Sequence, residues 1–402
     1  MVARLRVDRK SLAIAALALS ALLAGCMGGG TTGAIGPAQP PAPLAKGTPA
    51  PRPGGTTIGS GPVKVAVILP LTGSGAAQGA SMRNAAEMAF AEFENQELSL
   101  LVKDDRGTAD GARDATQAAL DEGAELIIGP LFAATVQSAG QVARGAGKPV
   151  IAFSTDSSVA SRGVYLLSFL APAEVDRVID HTADGGRRSV AALIPETTYG
   201  SVVEAQFREA AARRSLRVVA VERYPAGQPQ AAVARLAPLV GGANPQADAL
   251  FLPENPDGLP AVAEALLAAG FDPQRVKPLG TGVWNDARLF RNAALQGGWF
   301  AAPDGSRFAD FAGRYRARYG GEPVRLATLS YDAVSVAAAL VRQHGSQRFS
   351  EGVITNAAGF TGADGVFRFK PDGTNDRALA VLEVRGGASS VVSPAPRALP
   401  GT

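Results

Sequence analysis

From Val63 onward, short apolar runs alternate with helical segments, and the series occurs twice. In the first series, Val63–Pro70, Leu98–Lys103, Leu126–Ile128 and Val150–Phe153 read as buried strands. Between them, Ala76–Phe93, Gly111–Glu122 and Ala133–Arg144 repeat apolar residues at intervals of three and four, the helical period. The second series places strands at Val190–Ile194, Arg217–Glu222, Ala249–Leu252 and Pro278–Gly280. Its helices are expected at Gly200–Arg213, Gln230–Leu239 and Gly258–Ala269. Such alternation predicts an α/β fold in which parallel sheets are covered by helices on both faces. Two series predict two doubly wound lobes. Open parallel sheets bind ligands beyond the carboxyl ends of their strands, so two facing lobes would share one cleft.

The segment ahead of Val63 has a different character. Met1–Lys10 is basic, Leu12–Leu23 is almost wholly apolar, and Leu23-Ala24-Gly25-Cys26 follows. A charged start, a short apolar run and small residues make a secretory leader, here residues 1–25. The apolar run falls short of the roughly 20 residues a spanning helix needs. Cys26 is the only cysteine, so no internal disulfide is available. The L-A-G-C ending resembles the lipobox of bacterial lipoproteins. That resemblance implies that Cys26 is acylated and becomes the mature N-terminus, anchored by several acyl chains. Residues 26–62 follow as a Gly-, Pro- and Thr-rich stretch with no apolar face. It is expected to be a disordered tether, because it cannot bury enough surface to offset the entropy of ordering.

Charge and composition narrow the functional classes. Arg4, Arg6, Arg9 and Lys10 against Asp8 account for the whole formal excess of +3, so the basic pI is a property of the leader. No basic stripe interleaved with aromatics is present, and nucleic acid is not an expected partner. Catalysis is not expected either. The two histidines, His181 and His344, belong to no metal-spaced cluster. No phosphate-binding P-loop and no G-x-S-x-G nucleophile frame occurs. Asp104-Asp105 reads as a turn. No metal and no cofactor is expected.

Six motifs in order carry a family resemblance: VAVILPLTGSGAAQGASMRNAAEMAFAE, LVKDDRGTADGARDAT, LIIGPLFAATV, KPVIAFSTDSS, TTYGSVVEAQFREAAA and PLGTGVWND. The run resembles the leucine-binding-protein family of type I periplasmic-binding folds over about Val63 to Val384. The resemblance implies a chain that crosses between its lobes three times, expected near Gly185, Pro303 and Gln347. The folded domain is then expected over 63–390. Its first lobe takes about 63–185 and 304–346, its second about 186–303 and 347–390, and residues 391–402 form a disordered tail. Within the family, VIAFSTDSSVA and GVYLLSFLAP look most like lipoproteins called penicillin-binding-protein activators.

Four loops and a fifth downstream are expected to line the cleft. Thr72-Gly73-Ser74-Gly75 ends a strand and opens a helix, where backbone N–H groups suit an anion. Ser74 is the candidate there. In amino-acid-binding relatives a hydroxyl residue in the second loop holds the ligand carboxylate; the matching position is Ala133, with Thr135 nearby. The third loop offers Ser154 and Asp156, the latter equally readable as a helix cap. The fourth contains Tyr199, which in the family packs on ligand. The fifth aligns Gly282 with an ammonium-binding glutamate of leucine binders, and Trp284 either walls the cleft or packs behind it. The resemblance therefore implies a non-catalytic, lipid-anchored protein on the periplasmic face of a bacterial membrane. Met27 after the cysteine points to the outer membrane. The expected function is that of an activator-like regulator docking on a cell-wall synthase. The alternative is the solute-binding component of an ABC transporter for amino acids or other small polar solutes.

Overall fold

The computed structural model describes residues 55–93 and 96–399; the expected leader and Cys26 lie outside them. In chain order the first elements are β1 (Thr56–Ile58), β2 (Val63–Leu69), α1 (Ala76–Phe93), β3 (Leu98–Asp104), α2 (Ala109–Asp121) and β4 (Ala124–Ile128). They continue as α3 (Ala133–Gly145), β5 (Val150–Ala152) and β6 (Val164–Leu166). The six strands form one sheet in the order β1-β3-β2-β4-β5-β6. All neighbours are parallel except β1, which pairs antiparallel with β3. In β2 every residue but Lys64 is buried, as expected of a strand covered on both faces.

The second sheet begins after α4 (Ala171–Asp184) with β7 (Ser189–Pro195), α5 (Thr198–Arg213), β8 (Arg217–Tyr224) and α6 (Gln230–Val240). It goes on through β9 (Ala249–Phe251), α7 (Leu259–Ala268), β10 (Lys277–Gly280) and β11 (Trp299–Ala302). The chain then forms α8 (Gly305–Tyr319), α9 (Ala327–His344), α10 (Glu351–Ile354), β12 (Phe360–Gly362), β13 (Gly365–Phe369) and β14 (Asn375–Arg377). It ends with β15 (Ala380–Arg385) and β16 (Ala388–Ser393). The second sheet has the order β16-β15-β11-β10-β9-β7-β8, antiparallel only at β15 and β16. Strands β12–β14 make a small antiparallel sheet of their own. The fold is thus the two-lobed, parallel-dominated α/β architecture.

The division between lobes differs from the expected one in two places. Helix α4 buries Val175, Val178 and Ile179 against Val190, Ala192 and Ile194 of β7. It belongs to the second lobe, so the first crossing lies at Phe169–Leu170, before the helix, and not at Gly185. The stretch after Gln347 stays in the first lobe: Phe349, Ile354, Phe367 and Phe369 share a core with Val65, Val67 and Ile151. The third crossing is therefore at Ala378, where Leu379 joins the core that contains α4. The second crossing runs from Ala302 to Gly305, after which α8 sets Phe311 and Tyr315 against Ala85 and Met88 of α1.

Both segments expected to be disordered are partly ordered. Thr56–Ile58 extends the first sheet, and Ser99 donates to the Gly61 carbonyl at 3.0 Å. Ordered structure is therefore already present ahead of Val63, where the sequence placed the start of the core. At the other end, Arg177 of α4 donates to the Leu379 carbonyl (2.8 Å), to Ser393 Oγ (2.6 Å) and to the Pro394 carbonyl (3.3 Å). Leu399 is buried.

An alternating stack of rings and cations ties the crossings together. Arg325 lies over Phe308 (4.6 Å) and Phe169 (4.8 Å); Arg377 lies over Phe169 (5.0 Å) and Phe367 (5.2 Å). Phe169 sits at the first crossing, Phe308 just beyond the second, and Arg377 at the third. Arg325 is also paired with both oxygens of buried Asp364, at 2.8 and 2.7 Å. The guanidinium nitrogens of buried Arg377 have no hydrogen-bond partner among the described residues, so the two ring faces are its contacts on this stack.

Candidate functional site

The crossings bring the two carboxyl edges together. The chain leaves the first lobe from the carboxyl end of β6 at Leu166 and enters α4 at Ala171. It leaves the second from the carboxyl end of β11 at Ala302 and enters α8 at Gly305. Neither link exceeds about 18 Å of extended chain. The loops that follow the parallel strands of both sheets therefore adjoin one hinge, as a cleft requires.

On the first-lobe side, backbone and side chain lock these loops. Asp104 Oδ1 accepts from Leu71 N (2.9 Å), Thr72 N (3.2 Å) and Arg106 N (2.8 Å), and its Oδ2 accepts from the Thr72 hydroxyl (2.5 Å). Burial pulls this carboxyl up, but the hydrogen bonds outweigh it and hold it below the ordinary range. Asp105 Oδ1 caps the same turn through Gly107 N at 2.8 Å; burial pushes Asp105 up to about 6. The acid pair is thus a turn brace. Ser74 is exposed on the braced loop.

The other first-lobe candidates have their local bonds assigned. Thr135 is buried, accepts from Phe132 N (3.1 Å) and donates to the Phe132 carbonyl (2.8 Å), which ties down the start of α3. Its hydroxyl proton is not free for a ligand. Ser154 is buried and accepts from Asp156 N at 3.1 Å. Asp156 is exposed and accepts from Ser158 N at 2.9 Å, the cap of a short 3-10 turn over Ser157–Val159. The capping bond occupies one carboxylate oxygen.

The second-lobe candidates also point into structure. The Tyr199 hydroxyl bonds Thr281 Oγ1 at 2.6 Å. Its phenol is pushed well up by burial and then by the carboxylates of Glu174 and Glu254. Trp284 is fully buried, lies against Gly280, and donates from Nε1 to the Leu252 carbonyl at 3.0 Å. It packs behind the loop.

One acid not singled out in the sequence completes this edge. Glu174, in the first turn of α4, is buried and accepts from Gly282 N through Oε2 at 2.9 Å. A Cβ on residue 282 would stand 2.5 Å from Glu174 Oε1. Burial raises the Glu174 carboxyl to about 7 against the pull of the Gly282 N–H. A second buried acid, Glu254, accepts from the Tyr224 hydroxyl at 2.5 Å and from Asn255 N at 2.7 Å. A sequence signal for Glu174 existed: it shares the apolar stripe of α4 with Val178 and Thr182, where an acid is out of place.

The family described as periplasmic binding protein matches residues 62–388. The chain belongs to the periplasmic binding protein family. No curated protein matches the sequence. Among solved structures, a putative branched-chain amino acid ABC transporter protein from Rhodospirillum rubrum is similar. It aligns with a TM-score of 0.73 at 21% identity, over 82% of this chain and 99% of that one. A leucine-binding protein from Thermotoga maritima aligns at 0.57 and 22% identity, over 83% and 98%. A solute-binding protein of an ABC transporter from Rhodopseudomonas palustris, in complex with 3,4-dihydroxybenzoic acid, aligns at 0.56 and 18%, over 83% and 98%. At these identities the likeness is one of fold. Family membership suits a periplasmic location, and among the described residues no helix is long and apolar enough to cross a membrane.

Proposed function

We propose that this chain is a non-catalytic solute-binding protein of the ABC-transport type, held at the membrane through Cys26, and that its cleft takes a small polar solute bearing an ammonium group. The observation that carries this reading is the carboxylate of Glu174 beside Gly282. The leucine-type pattern has an acid at the position of Gly282, and here α4 supplies one to the same place. A buried carboxyl near pH 7 in its titration meets a cation readily: the ammonium favours the charged form that burial disfavours. The structural relatives named above are transport proteins, which supports this reading over docking on a cell-wall synthase, toward which the sequence leaned.

The test is a melting-temperature screen of amino acids, amines and aromatic acids. A solute at 100 times its dissociation constant stabilises the fold by about 2.7 kcal/mol. Amine-bearing hits should weaken in Glu174→Gln, which keeps the acceptor for Gly282 N–H and removes the charge. Undiminished binding in that variant rejects the ammonium assignment. No hit in the screen, with capture of a penicillin-binding protein, returns the activator reading. Anchoring is tested separately: Cys26→Ser should shift the protein from the membrane to the soluble fraction.

A further inference from the structure

A trough of about 450 Å³ runs along the outer flank of α3. One wall is α3 and the other is the segment from Asp156 to Ser161, which leads back from the carboxyl end of β5 to the start of β6. Both walls run from the cleft side toward the opposite pole of the lobe. The mouth lies at Ala133, Ala134 and Asp156. The far end is closed by Arg144, which donates to Ser161 Oγ at 3.0 Å. Eleven helical steps separate Ala133 from Arg144, a length of about 16 Å at the helical rise. The floor is apolar where Gly140 lets α3 approach Val164; a Cβ at Gly140 would stand 2.9 Å from that side chain.

The charges at the two ends are opposite. Asp156 stands at the mouth and Arg144 at the closed end, both exposed. Between them Gln137 and Gln141 line the trough one helical turn apart, exposed and with no side-chain partner among the described residues. Their spacing along the helix, about 6 Å, is close to the two-residue repeat of an extended chain, about 6.6–7 Å. A primary amide both donates and accepts, as a peptide group does. We propose that this trough is a second binding site, separate from the cleft, for a short extended peptide of about four residues. Its amino end lies at Asp156 and its carboxyl end at Arg144. The ends select the polarity, the glutamines pair with alternate peptide groups, and the apolar floor accepts small side chains.

The probe is tetra-alanine, measured by titration calorimetry against the whole chain. The free peptide should bind, and amidation of its carboxyl end or acetylation of its amino end should each weaken binding about tenfold, the range of an exposed charge-assisted contact. Arg144→Gln keeps a donor for Ser161 and removes the charge; it should abolish the difference between free and amidated peptide. Asp156→Asn keeps the capping oxygen and should abolish the difference between free and acetylated peptide. Glu174→Gln should leave tetra-alanine binding unchanged. No binding of tetra-alanine overturns the proposal. Binding that survives Arg144→Gln and Asp156→Asn with its end preferences intact also overturns it, and loss in Glu174→Gln would place the peptide in the cleft. The cleft reading stands or falls separately, on whether solutes bound in the cleft weaken in Glu174→Gln.

Discussion

Glu174 and Gly282 fit each other as a side chain and the space for it. The carboxylate accepts from the glycine N–H at 2.9 Å, and its other oxygen lies 2.5 Å from where a larger residue would place its Cβ. Two elements far apart in sequence are thereby joined at the carboxyl edge of the second sheet.

The first prediction concerns pH. The folded-state value of Glu174, about 7, lies above the ordinary 4.5 because burial disfavours the charge. Folding therefore takes up a proton in this window. The associated stability is full below about pH 4.5 and is lost as the pH rises through 7. Asp332, pushed up to about 7 mainly by burial, acts in the same direction. Melting temperature should fall between pH 5 and pH 8, and Glu174→Gln should reduce that fall. An unchanged pH dependence in the variant would contradict the assignment.

A second prediction isolates the pair. Gly282→Ala should destabilise the fold by about 1–3 kcal/mol, the usual cost of overpacking. Glu174→Ala removes the obstructing carboxylate, so the double variant should cost less than the sum of the two single ones, as expected of residues in contact. Additive costs in urea unfolding would show that the two do not compete for space.

The third prediction fixes the start of the core. A chain beginning at Gly55 should be as stable as one that carries the preceding stretch. A chain beginning at Val63 loses β1, whose Thr56, Thr57 and Ile58 pair with Val102, Leu101 and Leu100. It also uncovers the outer edge of β3. The expected loss is about 1–3 kcal/mol, large for residues outside the central core. Equal denaturation midpoints for the two truncations would refute a structural role for β1.

The fourth addresses the hinge. Phe169 serves both Arg325 and Arg377, so Phe169→Leu retains apolar bulk but removes two ring–cation contacts. Partly desolvated contacts of this kind are worth about 0.5–2 kcal/mol each. A loss of about 1–3 kcal/mol is expected, measured by thermal or urea unfolding. Phe290→Leu, at a ring with no cation above it among the described contacts, is the comparison and should cost less. Equal costs would leave the cations without a part in the effect.

Much of the fold was legible because strands buried on both faces cannot be anything but apolar. The run Val63–Leu69 and its successors announce themselves for that reason. The lobe boundary was not legible. The apolar stripe of α4 says that the helix is covered, but not by which sheet, and only the packing of Val178 on β7 decides it. Strand β1 was missed because Thr-Thr-Ile is short and half polar, and its pairing comes from β3, some forty residues away. At the site, Asp156 was equally readable as ligand group or cap, since one carboxylate serves either role, and the structure uses it as a cap. Thr135 could not be told from a ligand hydroxyl because its partner is the backbone of Phe132, which no residue type encodes.

The interleaving of the two lobes also sets the order in which the protein can become whole. The first sheet has all its strands once residue 166 is made, yet α9, which packs on α1, is not complete before residue 344. The second sheet has its parallel strands by residue 302, but β15, which lies between β11 and β16, arrives only with residues 380–385. A chain emerging from its amino end therefore cannot close either core early. A product cut short before β15 would leave Phe300 and Ala302 without the strand that covers them, an exposed apolar edge of the kind that quality-control proteases recognise.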